Sequence, residues 1–144
     1  MEEIILSIFV PCFNEEKNIA KALSCIKQGV QNISYEVLVV DDASKDKTIE
    51  MVEKYKKNNP NLNIKVFQNK SNKGVGFNYY ATAHQASGKY YMLINGDGVE
   101  PPDEIKKIVN NIGKADMILT YIDDRRSIFR RVISRTFVMI INMI

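Results

Sequence analysis

Short apolar, β-rich runs alternate along this chain with stretches of helical periodicity, and that alternation restricts the fold more than any other feature. A strand–helix–strand rhythm builds a mainly parallel sheet with helices on both faces, an α/β doubly wound architecture. Two of the strand-to-helix turns carry acids: Val10-Pro-Cys-Phe-Asn-Glu-Glu16 and Val39-Val-Asp-Asp-Ala-Ser-Lys-Asp-Lys-Thr48. Both stand at the carboxyl ends of neighbouring strands. In an open α/β sheet that edge binds ligands, so a nucleotide-type ligand is the first expectation.

Ile4 to Val10 reads as a buried strand. Asn14 is expected to cap the next helix, with Glu15 and Glu16 in its first turn and Ile19, Leu23, Ile26 and Val30 along its apolar side. Tyr35 to Val40 is a second strand, and Ser44 or Asp46 caps a helix that turns Ile49, Val52 and Tyr55 to the core. Leu62 to Phe67 is a third strand. After the polar loop Asn69 to Gly76, a helix carries Val75, Tyr79, Ala83 and Ala86 on one side and stops at Gly88. Tyr90 to Ile94 is the fourth strand. Pro101-Pro-Asp-Glu opens another helix, Gly113 ends it, and Ala115 to Tyr121 reads as a fifth strand.

The division expected is a binding domain over residues 1–124 and a basic, apolar helix over 125–144. There Phe129, Ile133, Phe137 and Ile141 step by four into one ridge. All five arginines of the chain lie beyond Tyr121, against Asp123 and Asp124, so the net charge of +3 is local to this end. A local cationic patch suits one anionic partner and argues against a general nucleic-acid binder. Cys12 and Cys25 make no disulfide framework and match no zinc spacing, which fits a reduced, cytoplasmic setting. Met1-Glu-Glu-Ile lacks the basic start of a secretory signal, and no run reaches the ~20 apolar residues that span a bilayer.

Asp41 and Asp42 end the second strand. Each either caps the following helix or accepts hydrogen bonds from a base or a ribose. Glu15 divides the same way, between dipole compensation and ligand contact. Asn95-Gly-Asp97-Gly, at the end of the fourth strand, is the candidate metal turn: a carboxylate and an amide oxygen suit Mg²⁺ or Mn²⁺ held mainly by phosphates. Lys73 and Gly74, in Asn72-Lys-Gly-Val-Gly, would bring backbone N–H groups and a cation to a phosphate. No Gly-x-Gly-x-x-Gly turn follows the first strand, against a dinucleotide-binding dehydrogenase. A receiver-like signalling domain would begin at the second strand and leave residues 1–34 surplus.

Together these motifs resemble the family-2 glycosyltransferases. The matching positions are Val10-Pro-x-Phe-Asn-Glu-Glu16, Asp41-Asp-x-Ser-x-Asp-x-Thr48, Asn72-x-Gly74 with Ala83, Ala86-Ser-Gly-Lys-Tyr-Tyr, and Asn95-Gly-Asp97 where the family carries Asp-x-Asp. The resemblance implies the GT-A fold, here short at its C-terminus, and a UDP- or GDP-sugar as donor. Pro11, Phe13 and Glu15 would line the nucleoside site, Asp41 and Asp42 would read base or ribose, and Asp97 with Asn95 would hold Mg²⁺ or Mn²⁺ on the diphosphate. The tail is similar to the branch that glycosylates polyprenyl phosphates, such as dolichol-phosphate mannose synthases, through an Arg-x-x-x-Ser pattern from Arg130 to Ser134. An arginine expected just after the fifth strand is replaced by Tyr121 and Ile122.

What the resemblance implies is a metal-assisted, inverting transfer of a hexose to an acceptor such as a lipid phosphate, with Asp97, Arg130 and Ser134 in catalysis and the chain peripheral on the inner face of the membrane. A phosphate monoester is already anionic at neutral pH and needs no general base. Clustered arginines would hold it, and an apolar ridge would rest on lipid. The alternative is a non-catalytic or truncated nucleotide-sugar-binding domain.

Overall fold

A computed structural model describes residues 3–120 of the chain; the 125–144 segment, with Arg130 and Ser134, lies outside them. The strands β1 (Leu6–Cys12), β2 (Tyr35–Asp41), β3 (Ile64–Gln68) and β4 (Tyr90–Leu93) alternate with helices α1 (Ile19–Gly29), α2 (Thr48–Asn58), α3 (Val75–Ala83) and α4 (Pro102–Val109). All pairings are parallel, in the order β3-β2-β1-β4. The order reverses at β1, whose carboxyl end faces the crevice between the loops after β1 and β4.

Alternate residues of each strand serve two different faces. Leu6, Ile8, Val10, Val37 and Val39 join Ile19, Leu23 and Ile26 of α1, Val52 of α2, and Ile105 and Val109 of α4 in one continuous core. The opposite face is covered by α3, where Phe9 meets the rings of Tyr79 and Tyr91. Winding from β1 to β3 thus uses one face, and the return from β3 to β4 uses the other. The doubly wound expectation holds.

That second face holds a buried polar network at the amino ends of the strands. Ser7 and Glu36 are register partners on β1 and β2, and both are fully buried. Glu36 Oε1 accepts hydrogen bonds from the Ser7 hydroxyl (2.7 Å) and the Ser87 N–H (2.6 Å). Lys65 Nζ lies 2.7 Å from its other oxygen, and the Gly88 N–H donates to Ser7 Oγ (2.8 Å). A Cβ on Gly88 would stand 2.6 Å from the Ser7 nitrogen, so only glycine allows this approach. The Ala86-Ser-Gly motif is therefore the anchor of β4.

Three local expectations are corrected. Asn14 does not cap α1, which begins at Ile19; Asn14 is left-handed at φ 56° and its side chain accepts the Lys45 N–H. Along α3 the buried residues are Asn78 and Thr82, whereas Val75, Tyr79 and Ala83 are exposed. Asn78 turns inward because its amide oxygen accepts from Asn69 Nδ2 (2.7 Å). Finally, residues 115–120, the described part of the expected fifth strand, form no ladder, and Met117 and Leu119 are exposed. An apolar alternation alone does not make a strand when its backbone finds no pairing edge.

Candidate functional site

The turns after β1 and β2 are laced together. The Asn14 N–H donates to Ser44 Oγ (2.9 Å), the Glu15 N–H to Thr48 Oγ1 (2.8 Å) and the Glu16 N–H to Asp46 Oδ2 (3.0 Å). In return, Asn14 Oδ1 accepts from the Lys45 N–H (2.8 Å) and Glu16 Oε2 from the Lys47 N–H (3.1 Å). Asp46 also accepts the Thr48 N–H at the first residue of α2 (3.0 Å), but the N-cap position is Lys47, so neither Ser44 nor Asp46 is the expected cap. Most polar residues of the two acidic motifs thus brace one another. Glu15 is different: it precedes α1, one oxygen accepts from Asn18 (2.7 Å), and the side chain lines the cleft between the loops.

That cleft has a volume of about 320 Å³ and sits at the carboxyl ends of β1, β2 and β4. Pro11, Cys12, Phe13 and Glu15 line it from the first loop and Asp42 from the second. Asn72, Gly74 and Asn78 close the third side, and Asn95, Gly96 and Asp97 the fourth. Phe13 is half exposed at the lip, where an aromatic face suits stacking on a planar ring. A Cβ on Gly96 would stand 2.8 Å from the Pro11 carbonyl oxygen, so this glycine lets the β4 turn close on β1.

The two adjacent aspartates differ in what they hold. Asp41 is fully buried, bonds the Ser44 hydroxyl and accepts the Ser44 N–H (3.3 Å), and does not line the cleft. It holds the bend in which Ala43 is left-handed at φ 68°. Asp42 pins the third loop. Its Oδ1 accepts from Asn69 Nδ2 (2.7 Å) and the Lys73 N–H (2.9 Å), and its Oδ2 accepts from the Gly74 N–H (2.8 Å). Burial alone would raise its carboxyl, but the Lys73 N–H, the amides of Asn78 and Asn69 and the Gly74 N–H outweigh burial and hold it below the ordinary value.

The expected phosphate cradle at Lys73 and Gly74 is not formed, because Asp42 takes both N–H groups and the Lys73 ammonium lies 4.8 Å above the Phe77 ring. Burial, then the acids around it, push the Cys12 thiol up to about 12, which leaves it protonated and inert.

At the β4 turn, Asn95 donates its amide hydrogen to Glu100 (3.1 Å), which leaves its oxygen as the free end. Asp97 accepts the Val99 N–H (3.2 Å) through one oxygen, with the other open. Among the described residues no three acids, histidines or cysteines stand close enough to hold a metal ion together. One carboxylate and one amide oxygen fit a Mg²⁺ or Mn²⁺ that takes its remaining ligands from phosphates and water.

Sequence reasoning missed Asn78, which is 2% exposed yet lines the cleft. Its signal was available: Asn78 and Thr82 stand four apart in an otherwise apolar helix, and a buried polar position is more informative than an exposed apolar one.

The family model "Glycosyl transferase family 2" matches residues 7–137. The dolichol-phosphate mannosyltransferase of Pyrococcus furiosus is 30% identical over 74% of the chain, and the Staphylococcus aureus poly(ribitol-phosphate) β-N-acetylglucosaminyltransferase TarS is 38% identical over 63%. The chain spans 30% and 16% of their lengths. Among solved structures, the mannosyltransferase PcManGT from Pyrobaculum calidifontis, in complex with GDP-Man and Mn²⁺, superposes with a TM-score of 0.60 and 25% identity, covering 64% of this chain and 27% of that one. TarS 1–349 in complex with UDP-GlcNAc gives 0.58 and 35%, covering 65% and 27%. With a matching family model across nearly its whole length and a GT-A core, the chain belongs to glycosyl transferase family 2.

Proposed function

We propose that the cleft binds a UDP- or GDP-sugar and that the chain contributes the donor-binding part of a metal-assisted, inverting glycosyl transfer. The observation that carries this reading is the convergence of Glu15, Asp42 and Asp97, from three separate loops, on one cleft with Phe13 at its lip. Solved relatives hold GDP-Man with Mn²⁺ or UDP-GlcNAc, which supports a nucleoside-diphosphate sugar here.

In this reading Phe13 and Pro11 flank the base and Glu15 accepts from a ribose hydroxyl. Asp97 and the Asn95 amide oxygen hold a divalent cation against the diphosphate, where it neutralises charge on the leaving group. Asp42 positions the loop that closes over the nucleoside. An acceptor oxygen bonds to the anomeric carbon from the face opposite the diphosphate, whose bridging oxygen departs with the bonding electrons.

The acceptor fits a polyprenyl phosphate at a membrane surface, in line with the dolichol-phosphate mannosyltransferase relative. Arg130 and Ser134 would hold its phosphate and the 125–144 segment would meet the lipid. Among the described residues no helix is long and apolar enough to cross a membrane.

Calorimetric titration with UDP- and GDP-sugars in Mn²⁺ tests the donor site, and turnover with polyprenyl phosphate tests the acceptor. The reading expects saturable binding that Asp97→Ala abolishes. No binding, or binding indifferent to Asp97→Ala, contradicts it. Donor binding without transfer to polyprenyl phosphate retains the donor site and overturns the acceptor assignment.

A further inference from the structure

The turn after β4 closes on itself through side chains. Asp97 accepts the Val99 N–H (3.2 Å), and Glu100 Oε1 accepts from Asn95 Nδ2 (3.1 Å). Between them Gly98 is left-handed at φ 66°, and the chain doubles back so that residue 100 meets residue 95. Asn95 and Asp97 line the cleft, and Glu100 does not. Among the described residues Glu100 makes no ion pair and accepts no backbone N–H, so it neither caps α4 nor answers a cation. Its Oε2 is buried and has no hydrogen-bond partner among those residues. A buried carboxylate oxygen without a donor costs stability, so the placement of Glu100 asks for a reason other than folding. Its one partner is the Asn95 amide.

Resting on the donor-site reading above, we infer that Glu100 is a positioning residue that holds the Asn95 amide oxygen ready for the divalent cation. A carboxylate offers only lone pairs. Facing Asn95 it takes the amide N–H and leaves the carbonyl oxygen as the free end. Without it the amide is free to turn either end to the ion, and only the oxygen is a ligand for Mg²⁺ or Mn²⁺. A hydrogen bond from the amide to a carboxylate also polarises the amide and makes its oxygen a better donor to a metal. Where the family carries an aspartate, this chain carries an amide backed by a carboxylate. The second negative charge of the metal turn stands one hydrogen bond behind the ligand.

Binding of UDP or GDP to the 144-residue chain, followed by calorimetry over a range of Mn²⁺ concentrations, tests this. Glu100→Ala is expected to raise the Mn²⁺ concentration for half-maximal binding by about tenfold or more. Full binding should return at high Mn²⁺, with no fall in melting temperature. Glu100→Gln, which keeps an oxygen for the Asn95 amide, is expected to recover most of that loss. On an Asn95→Ala background, Glu100→Ala is expected to change nothing further, because a positioning residue acts only through the group it holds. A Glu100→Ala midpoint equal to wild type overturns the inference. So does a loss that persists undiminished on the Asn95→Ala background, or one that Glu100→Gln leaves uncorrected. Loss of the cooperative melt in both Glu100 variants assigns the residue to folding and overturns it as well. Wild type that shows no Mn²⁺-dependent binding of either nucleotide instead overturns the donor-site reading itself.

Discussion

The two ends of the sheet use the same chemistry to opposite ends. At the amino ends of the strands, Glu36 is sealed beneath the second face and its oxygens are taken by Ser7, Ser87 and Lys65. At the carboxyl ends, Glu15, Asp42 and Asp97 each spend part of their capacity on loop N–H or amide groups and keep the rest toward a cleft. A carboxylate that accepts backbone N–H groups is thus no sign of a site by itself. The sign is an oxygen left open toward the cleft, and Asp97, with one oxygen on the Val99 N–H and the other unbonded, meets that criterion.

This contrast breaks if a substitution at one end produces the other end's phenotype. The largest effect is expected from Asp97→Ala, which should weaken Mn²⁺-dependent donor binding by about a hundredfold or more and leave the melting temperature unchanged, read by calorimetry and thermal melting. Glu36→Ala should do the reverse. It strands the Ser87 N–H and the Ser7 hydroxyl, so urea unfolding should show a loss of about 2–4 kcal/mol, with donor affinity per folded molecule unchanged.

Acid sharpens the same comparison. Burial would raise the Glu36 carboxyl, but Lys65, Ser7 and the Ser87 N–H outweigh it and hold it below its ordinary value of 4.5. Asp42 is likewise held below 3.8. A depressed carboxyl adds stability that is complete above its unfolded value and is lost as pH falls through the lower folded one. Stability measured by urea unfolding should therefore be flat from neutrality to about pH 5 and fall below it. Glu36→Gln should flatten that fall.

The smallest effect expected is a gain. Ala43 holds φ 68° in the turn that carries Asp41 and Asp42. A left-handed residue with a Cβ is strained, so Ala43→Gly should stabilise by about 0.5–1 kcal/mol in thermal melts.

The strand–helix rhythm, the core stripe Ile19, Leu23, Ile26 and the acidic cleft were legible because each rests on local periodicity or on the chain order of turns. The start of α1 was not legible. Asn14 looks like a helix cap in isolation, but its side chain is claimed by Lys45, thirty-one residues away. The inward side of α3 was misread for the same reason: its apolar residues suggested one face, while the Asn69 amide holds Asn78 inward and Thr82, one turn on, is buried with it. Asp41 and Asp42 are equivalent as a string and diverge only through their partners, Ser44 for one and the 69–74 loop for the other.

The proposed donor site puts a metal-bound nucleotide in the carboxyl-end cleft and not in the polar network beneath the sheet. Paramagnetic broadening of backbone amide resonances by Mn²⁺ with UDP or GDP tests it most directly. The expected result is broadening centred on Phe13 to Glu15, Lys73 to Val75 and Gly96 to Val99, with Glu36, Ser87 and Gly88 left sharp. Broadening at Glu36 and Ser87, or none that depends on the nucleotide, would contradict it.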